Sequence, residues 1–376
     1  MRLLHVTADY PDPLAPGKTP AVRNLLELVP EHEHRVFSLN RVGGAGIASL
    51  PFEDAAGRGH RAVAYGAPGL GVRLLGGLRR VGAYVLETAR DEGFAPDAVH
   101  AHKLSTDALA AAVAACGFGV PLILSSQGNS DLKILGARPD LRPRWRRMWR
   151  EAAAVLPFAP WTRDALTARL GPREGFVRCL PCPTPLDAAR APEAAGPLLR
   201  SAFHLAGHAN KNAALMIRAA AAAAREVPDL RLEIAGGGDA GAYAALSRLA
   251  EASGGAARLV GPVAHGAMAD WLHGAAALVL ASRRESYGMV FAEALLAGTP
   301  AMHPAGAGID GYFEDGGAVL RVDASDEAAV AAAFVRLARE EGAFKARLAA
   351  LQASGGLRPL TREGIAETYR AALAQA

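Results

Sequence analysis

ESYGMVFAEALLAGTP, residues 285–300, is the stretch on which the reading of this 376-residue chain turns. Glu285 and Glu293 stand around the start of a short, strongly marked helix. Ser286 is placed to cap that start by accepting a backbone N–H. Gly298 falls where a left-handed stop residue belongs, and Pro300 follows where the helix cannot continue. The first amides, around Gly288 and Met289, have no partner inside the helix and sit at the positive end of its dipole. Such a start is a ready anion site, and Gly288, lacking a Cβ, lets a phosphate come close. Glu293 lies one turn below Met289 on the same face, where a carboxylate can accept from vicinal hydroxyls. One glutamate before the helix, amides at its tip and a second glutamate inside it suit a sugar, a diphosphate and a ribose in a row. The alternative is a sheet-packing helix with exposed glutamates.

The same two glutamates fit a glycosidase poorly. Eight residues of helix rise about 12 Å, whereas the carboxyl pair of a glycosidase sits roughly 5–9.5 Å apart across a sugar. Transfer suits the spacing better than hydrolysis.

With Glu285, Gly288 and Glu293 in an E-x7-E pattern and Gly298-Thr299-Pro300 closing the helix, the segment resembles the nucleotide-sugar site of retaining GT-B glycosyltransferases of family 4. The resemblance implies two Rossmann-like, doubly wound α/β domains facing a central cleft. It implies that Glu285, a catalytic candidate, contacts the donor sugar, that the amides at Gly288 and Met289 hold the diphosphate with Ser286 and Tyr287 also at the donor, and that Glu293 binds the ribose. It further implies a metal-independent reaction with no cofactor beyond the donor itself, a UDP- or GDP-sugar, and no enzymatic nucleophile.

Alternation of segments agrees with that fold. LLHVTA (3–8), DAVHAH (97–102) and PLILSS (121–126) read as buried strands, with helices over 105–115 and roughly 144–155. RLEIAG (231–236), ARLVGPV (257–263), ALVLAS (277–282) and PAMHPA (300–305) repeat the rhythm. Two parallel sheets covered by helices follow, with ligands beyond the carboxyl ends of the strands. The expected boundaries are an acceptor-binding domain over 1–185, a donor-binding domain over 186–355, and a helix within 356–376 crossing back to the first domain. Prolines make 181–197 the natural linker.

Other site residues come from matching this pattern. In GHANKN (207–212), Lys211 matches the family's diphosphate lysine, while His208 stands where an arginine is usual. Gly17 and Lys18 precede a helix expected to be capped by Thr19 with Pro20 as its first residue; they either line the donor site or form a plain turn. His102 ends a strand at the expected cleft edge and is taken as a catalytic candidate, with His100 structural. Gln127 replaces a family histidine and offers a neutral contact to a sugar or acceptor. GAGIDG (306–311) spells a dinucleotide fingerprint, but YFEDGG follows instead of a helix, so a dehydrogenase is rejected. GGGD (236–239) reads as a tight turn.

Composition bounds the rest. With 51% hydrophobic and 21% charged residues the chain is globular, and no apolar run suits a membrane span. MRLLHVTADY, interrupted by His5 and Asp9, is no signal peptide, so a cytoplasmic protein is expected. Three cysteines make no disulfide framework, and prolines around Cys179 and Cys182 deny them a thioredoxin-type helix. Residues 1–185 carry 23 Lys+Arg against 17 Asp+Glu, while 186–376 carry 18 against 20, so positive charge gathers in the first half. Six arginines between Arg138 and Arg150 interleave with Trp145 and Trp149, and a second basic, apolar run spans Arg73–Val81. These suggest a peripheral contact with an anionic membrane surface, or else a solvated helix face; nucleic acid is not expected. The function expected is sugar transfer to an acceptor hydroxyl, on a glycan or lipid-linked acceptor, in surface polysaccharide, lipopolysaccharide or glycolipid synthesis. A nucleotide-sugar 2-epimerase of like fold and a non-catalytic nucleotide-sugar-binding scaffold remain as rivals.

Overall fold

The computed structural model describes residues 1–44, 46–67 and 73–376. Its chain divides into two units, 1–183 with 363–376 and 184–362. Unit 1 contains β1 (Arg2–Thr7), β2 (Glu33–Val42), β3 (Ile47–Glu53), β4 (Gly59–Gly66), β5 (Ala98–Ala101), β6 (Leu122–Ser126), β7 (Ala154–Pro157) and β8 (Phe176–Val177). They form one sheet in the order β3-β4-β2-β1-β5-β6-β7-β8. Unit 2 contains β9 (Leu198–Ala202), β10 (Arg231–Ala235), β11 (Ala257–Gly261), β12 (Ala277–Val279), β13 (Ala301–Pro304) and β14 (Val319–Val322), ordered β11-β10-β9-β12-β13-β14. Strand order reverses direction between β1 and β5 and between β9 and β12, and such switch points open a crevice beyond the strand ends.

Buried runs make these strands. Leu3, Leu4 and Val6 of β1 are fully buried, as are Leu278 and Val279 of β12. Both faces are covered, so the runs are continuous, not alternating. The expected parallel pairing holds except at one edge: β3 runs antiparallel to β4. Its PFEDAAGRGH turn was not read as a hairpin. Helix Arg142–Glu151 also ends earlier than the expected 155, because Ala154–Pro157 is already β7. Helix Arg362–Leu373 packs Ile365, Tyr369 and Leu373 into the core of unit 1 against Leu3, Ala98 and Ile123.

The basic helix does not present tryptophans. Trp145 and Trp149 are buried in the core of unit 1, donating indole N–H bonds to Ser105 O (3.3 Å) and Gly171 O (3.0 Å). A helix with two tryptophans in ten residues gains far more by burying about 150–250 Å² per ring than by exposing it. The expected interfacial anchors of residues 138–150 are therefore core residues, and only the arginine face remains outside.

Candidate functional site

In unit 2 the stretch quoted at the outset forms helix Met289–Leu296 at the switch point beyond β12. Ser286 does not cap it. The cap residue is Gly288, in a left-handed conformation at φ 74°, and no side chain caps the helix. A Cβ on Gly288 would sit 2.6 Å from the Phe291 ring, so this backbone belongs to glycine on two counts. The N–H groups of Gly288 and Met289 find no acceptor among the described residues. At the other end Gly298 is left-handed at φ 79°, with Thr299 N–H bonded to Ala294 O at 2.8 Å, the stop expected of it.

Glu285 and Lys211 meet. The Lys211 ammonium donates to Glu285 Oε2 at 2.5 Å, and the Ser282 hydroxyl donates to the same oxygen at 3.1 Å. Local backbone ties set this contact: Arg283 N–H bonds Asn210 O at 2.8 Å, and the Asn210 amide bonds Arg284 O at 2.9 Å. The glycine loop 306–311 turns without a helix and donates Gly308 N–H to Glu285 O at 3.0 Å. Glu293 is 8% exposed, and its carboxyl makes no hydrogen bond or ion pair among the described residues. Burial pushes its carboxyl above the usual carboxylate range, with His265 pulling weakly the other way. Tyr287 is buried with its ring edge-on to Tyr312, so its side chain lies in the core. His208 closes the short turn Leu205–Gly207, half-buried, its carbonyl accepting from Ala213 N–H at 3.1 Å. Nearby, Ser282, Arg283, Asn212, Pro304 and Ser325 line a cavity of about 400 Å³. Sequence reasoning missed Ser282, Arg283 and Asn210, which carry no motif and are recruited by loop geometry. GGGD is a turn as expected, its Asp239 capping the next helix by accepting from Ala242 N–H at 2.9 Å.

Unit 1 places its candidates at the β1/β5 switch point, except two. Lys18 is spent internally: its three protons go to Asp12 Oδ2 (2.8 Å), Ser38 Oγ (2.9 Å) and Leu39 O (3.1 Å), leaving none for a phosphate. Gly17 is exposed, with open space where a Cβ would be. Pro20 is the cap of helix Ala21–Leu26 and not its first residue, while Thr19 Oγ1 accepts from Ala21 N–H at 3.3 Å.

His102 is buried and belongs to a chain of imidazoles. His34 Nε2 bonds Val29 O at 3.1 Å, His34 Nδ1 meets His5 Nε2 at 3.0 Å, and His5 Nδ1 meets His102 Nε2 at 3.2 Å. A carbonyl only accepts, so His34 carries its proton on Nε2; neutral rings then require Nε2–H on His5 and on His102 as well. Neutrality follows from burial, which lowers His34 to about 4 and His102 to about 3, and lowers His5 well below its usual value. His102 is thus neutral, in a fixed tautomer that leaves Nδ1 as an acceptor. His100 stays structural, bonded to Ser125 Oγ at 2.8 Å and Tyr369 OH at 2.9 Å. Nitrogens of His5, His100 and His102 lie within 4.8 Å of one another, but a cation there would have to break these bonds. Gln127 donates its amide to Asp9, which also pairs with Lys103 at 2.7 Å. One of its two amide N–H groups is therefore committed within the unit, and the other, with the oxygen, is left for a sugar.

Comparison with known proteins agrees with this architecture. Residues 17–183 match the model of the glycosyl transferase 4-like domain, and 201–340 that of the glycosyl transferases group 1. Sucrose-phosphate synthase from Thermosynechococcus elongatus superposes with a TM-score of 0.71 at 19% identity, over 100% of both chains. UDP-forming α,α-trehalose-phosphate synthase from Burkholderia xenovorans gives 0.71 at 13%, and Anabaena HepE, solved with UDP and glucose, 0.66 at 15%, each over 100% of both chains. At such identities the likeness is one of fold. A D-inositol 3-phosphate glycosyltransferase from a Nocardioides species is 39% identical over 93 residues, 25% of this chain and 20% of that protein. The chain thus spans about a fifth of that relative. Two doubly wound domains that match both family models define a GT-B glycosyltransferase. Within that class the chain belongs to the group 1 glycosyltransferases of the family 4 type.

Proposed function

We propose that the chain transfers a sugar, with retention, from a UDP- or GDP-sugar to an acceptor hydroxyl without a divalent ion, in surface polysaccharide, lipopolysaccharide or glycolipid synthesis at the cytoplasmic side of a membrane. The observation that carries this reading is the Glu293 carboxylate, buried yet unpaired, on the same short helix as the free amides at Gly288 and Met289. Its oxygens reach the surface with no protein donor committed to them, so they are open to a ligand's donors, and ribose hydroxyls fit.

Lys211 then has two partners to choose between. With donor bound it turns from Glu285 to the diphosphate, and the lone pairs it vacates on Glu285 face the sugar hydroxyls. Arg283, exposed on the cavity wall, supplies the second cation that His208 does not. Helix amides and these cations meet the charge that grows on the leaving diphosphate. The acceptor oxygen bonds the anomeric carbon on the face the diphosphate leaves, the carbon–oxygen bond to the diphosphate breaks, and the acceptor proton passes to a diphosphate oxygen. Calorimetry with UDP and GDP tests the site: Glu293→Gln is expected to weaken the bound nucleotide roughly 10- to 100-fold, the worth of charge-assisted bonds. Unchanged affinity removes the ribose role, and an inverted anomer in the product by NMR removes retention.

A further inference from the structure

The two basic, apolar runs of the sequence meet in unit 1. Helix Leu74–Asp91 brings Leu75 and Arg79, helix Arg142–Glu151 brings Arg144, Arg147 and Met148, and helix Asp107–Phe118 supplies the wall between them. Together they line a cavity of about 720 Å³, a size usual for small-molecule sites. Leu75, Leu86, Val113, Val120, Leu122 and Met148 are all half-buried and turned to this hollow, apolar surface that the fold leaves uncovered.

The walls are held in place by glycines. A Cβ on Gly82 would lie 2.4 Å from Ala110 O, and one on Gly117 would lie 2.2 Å from Leu86 Cδ2. Helices Leu74–Asp91 and Asp107–Phe118 therefore press together, and Leu86 is pinned as wall instead of falling into the hollow. Charge sits only at the rim. Arg147 is bound by Glu151 at 2.9 Å, whereas Arg79 and Arg144 are exposed and make no hydrogen bond or ion pair among the described residues. A nucleotide or sugar would want polar partners along the walls. Two unspent guanidinium groups above a hydrocarbon hollow instead fit an anion that carries a hydrocarbon chain.

We propose that this hollow takes one acyl chain of an anionic membrane lipid, with Arg79 and Arg144 on its phosphate, and so seats unit 1 on an anionic bilayer. Its mouth adjoins Pro121, Leu122 and Ala152, at the amino ends of β6 and β7. His102 and Gln127 follow the carboxyl ends of β5 and β6, so the lipid site and the switch-point crevice lie at opposite edges of one sheet. Anchoring there leaves that crevice open. It also gives the basic helix a membrane role without its tryptophans.

The test uses the whole protein with vesicles of phosphatidylcholine, with and without phosphatidylglycerol, at low salt. Sedimentation with the phosphatidylglycerol vesicles alone is expected. When their phosphatidylglycerol carries brominated acyl chains, Trp145 and Trp149, on a helix that lines the hollow, are expected to be quenched. Arg79→Ala with Arg144→Ala lowers vesicle affinity roughly thirty-fold, as the loss of two surface arginines predicts. Ala112→Phe fills the hollow without changing charge and is expected to abolish quenching while unfolding at an unchanged temperature. Equal sedimentation on neutral vesicles overturns the site. So does quenching that survives Ala112→Phe, and so does anionic-vesicle binding with no quenching at all, which would mean surface charge without an inserted chain.

Discussion

Where the sheet of unit 1 reverses, between β1 and β5, the side chains are neutral imidazoles bonded to one another; between β9 and β12 of unit 2 they are a lysine, two glutamates and an arginine at an open helix tip. The backbone plan is the same. What differs is burial against pairing. Unit 1 has removed these imidazoles from water and paired them, fixing one tautomer along the chain from His34 to His102. Unit 2 leaves the Glu293 carboxyl without a partner among the described residues, and joins Lys211 to Glu285 by a partly exposed ion pair. One switch point is set to hold still, the other to respond.

The largest effect that would sharpen this contrast is at Lys211. Lys211→Ala is expected to lower turnover roughly 10²–10³-fold, the scale of losing one preorganised group from a developing charge. Steady-state kinetics checks it, and a change in nucleotide affinity alone would place Lys211 in binding only. Acid is next, and it should act on unit 1. His34 and His102 have folded values of about 4 and 3, below the ordinary histidine value near 6.5 of the unfolded chain. The unfolded state therefore binds more protons between those values, so the stability they contribute is present above pH 6.5 and is lost as pH falls. Going from pH 7.5 to 5.5 is expected to cost about 1 kcal/mol for each such histidine, read as faster amide exchange in β1, β2 and β5 than in β9 and β12. A uniform change across both sheets would break the contrast. A third effect is Gly288→Ala, about 1–3 kcal/mol for an alanine held at positive φ, measured by urea unfolding. Loss of that size confined to unit 2 supports a strained helix tip, and none would mean that the tip relaxes.

Most of the plan could be read from the chain because burial on both faces leaves unbroken apolar runs. LLHVTA, PLILSS and ALVLAS are strands for that reason, and Gly298 with Pro300 marks a helix end that few other arrangements tolerate. Less legible were features decided by tertiary partners. Ser286 has the chemistry of a cap, but the Phe291 ring and the Glu285 stem crowd the left-handed Gly288, which takes the cap position instead. Lys18 looks like a free cation until Asp12 and Ser38 fold back on it. Trp145 and Trp149 recur at helical spacing, which suits an interface or a core equally; only the neighbouring strands decide. The imidazole chain draws His5, His34 and His102 from three separate strands or strand ends, a registry of β1 with β2 and β5 that no local pattern announces.

The tail of the site helix is riveted. Arg190 N–H bonds Leu296 O at 2.8 Å, the Gln352 amide bonds Arg190 O at 2.8 Å, and a Cβ on Gly298 would strike Arg190 O at 2.8 Å. The chain that enters unit 2 at Thr184 is thus fastened to the blunt end of the candidate-site helix. Insertions ahead of Arg190 leave the rivet intact, whereas a side chain at Gly298 springs it. Tether length and catalytic architecture can consequently drift apart in evolution without one damaging the other.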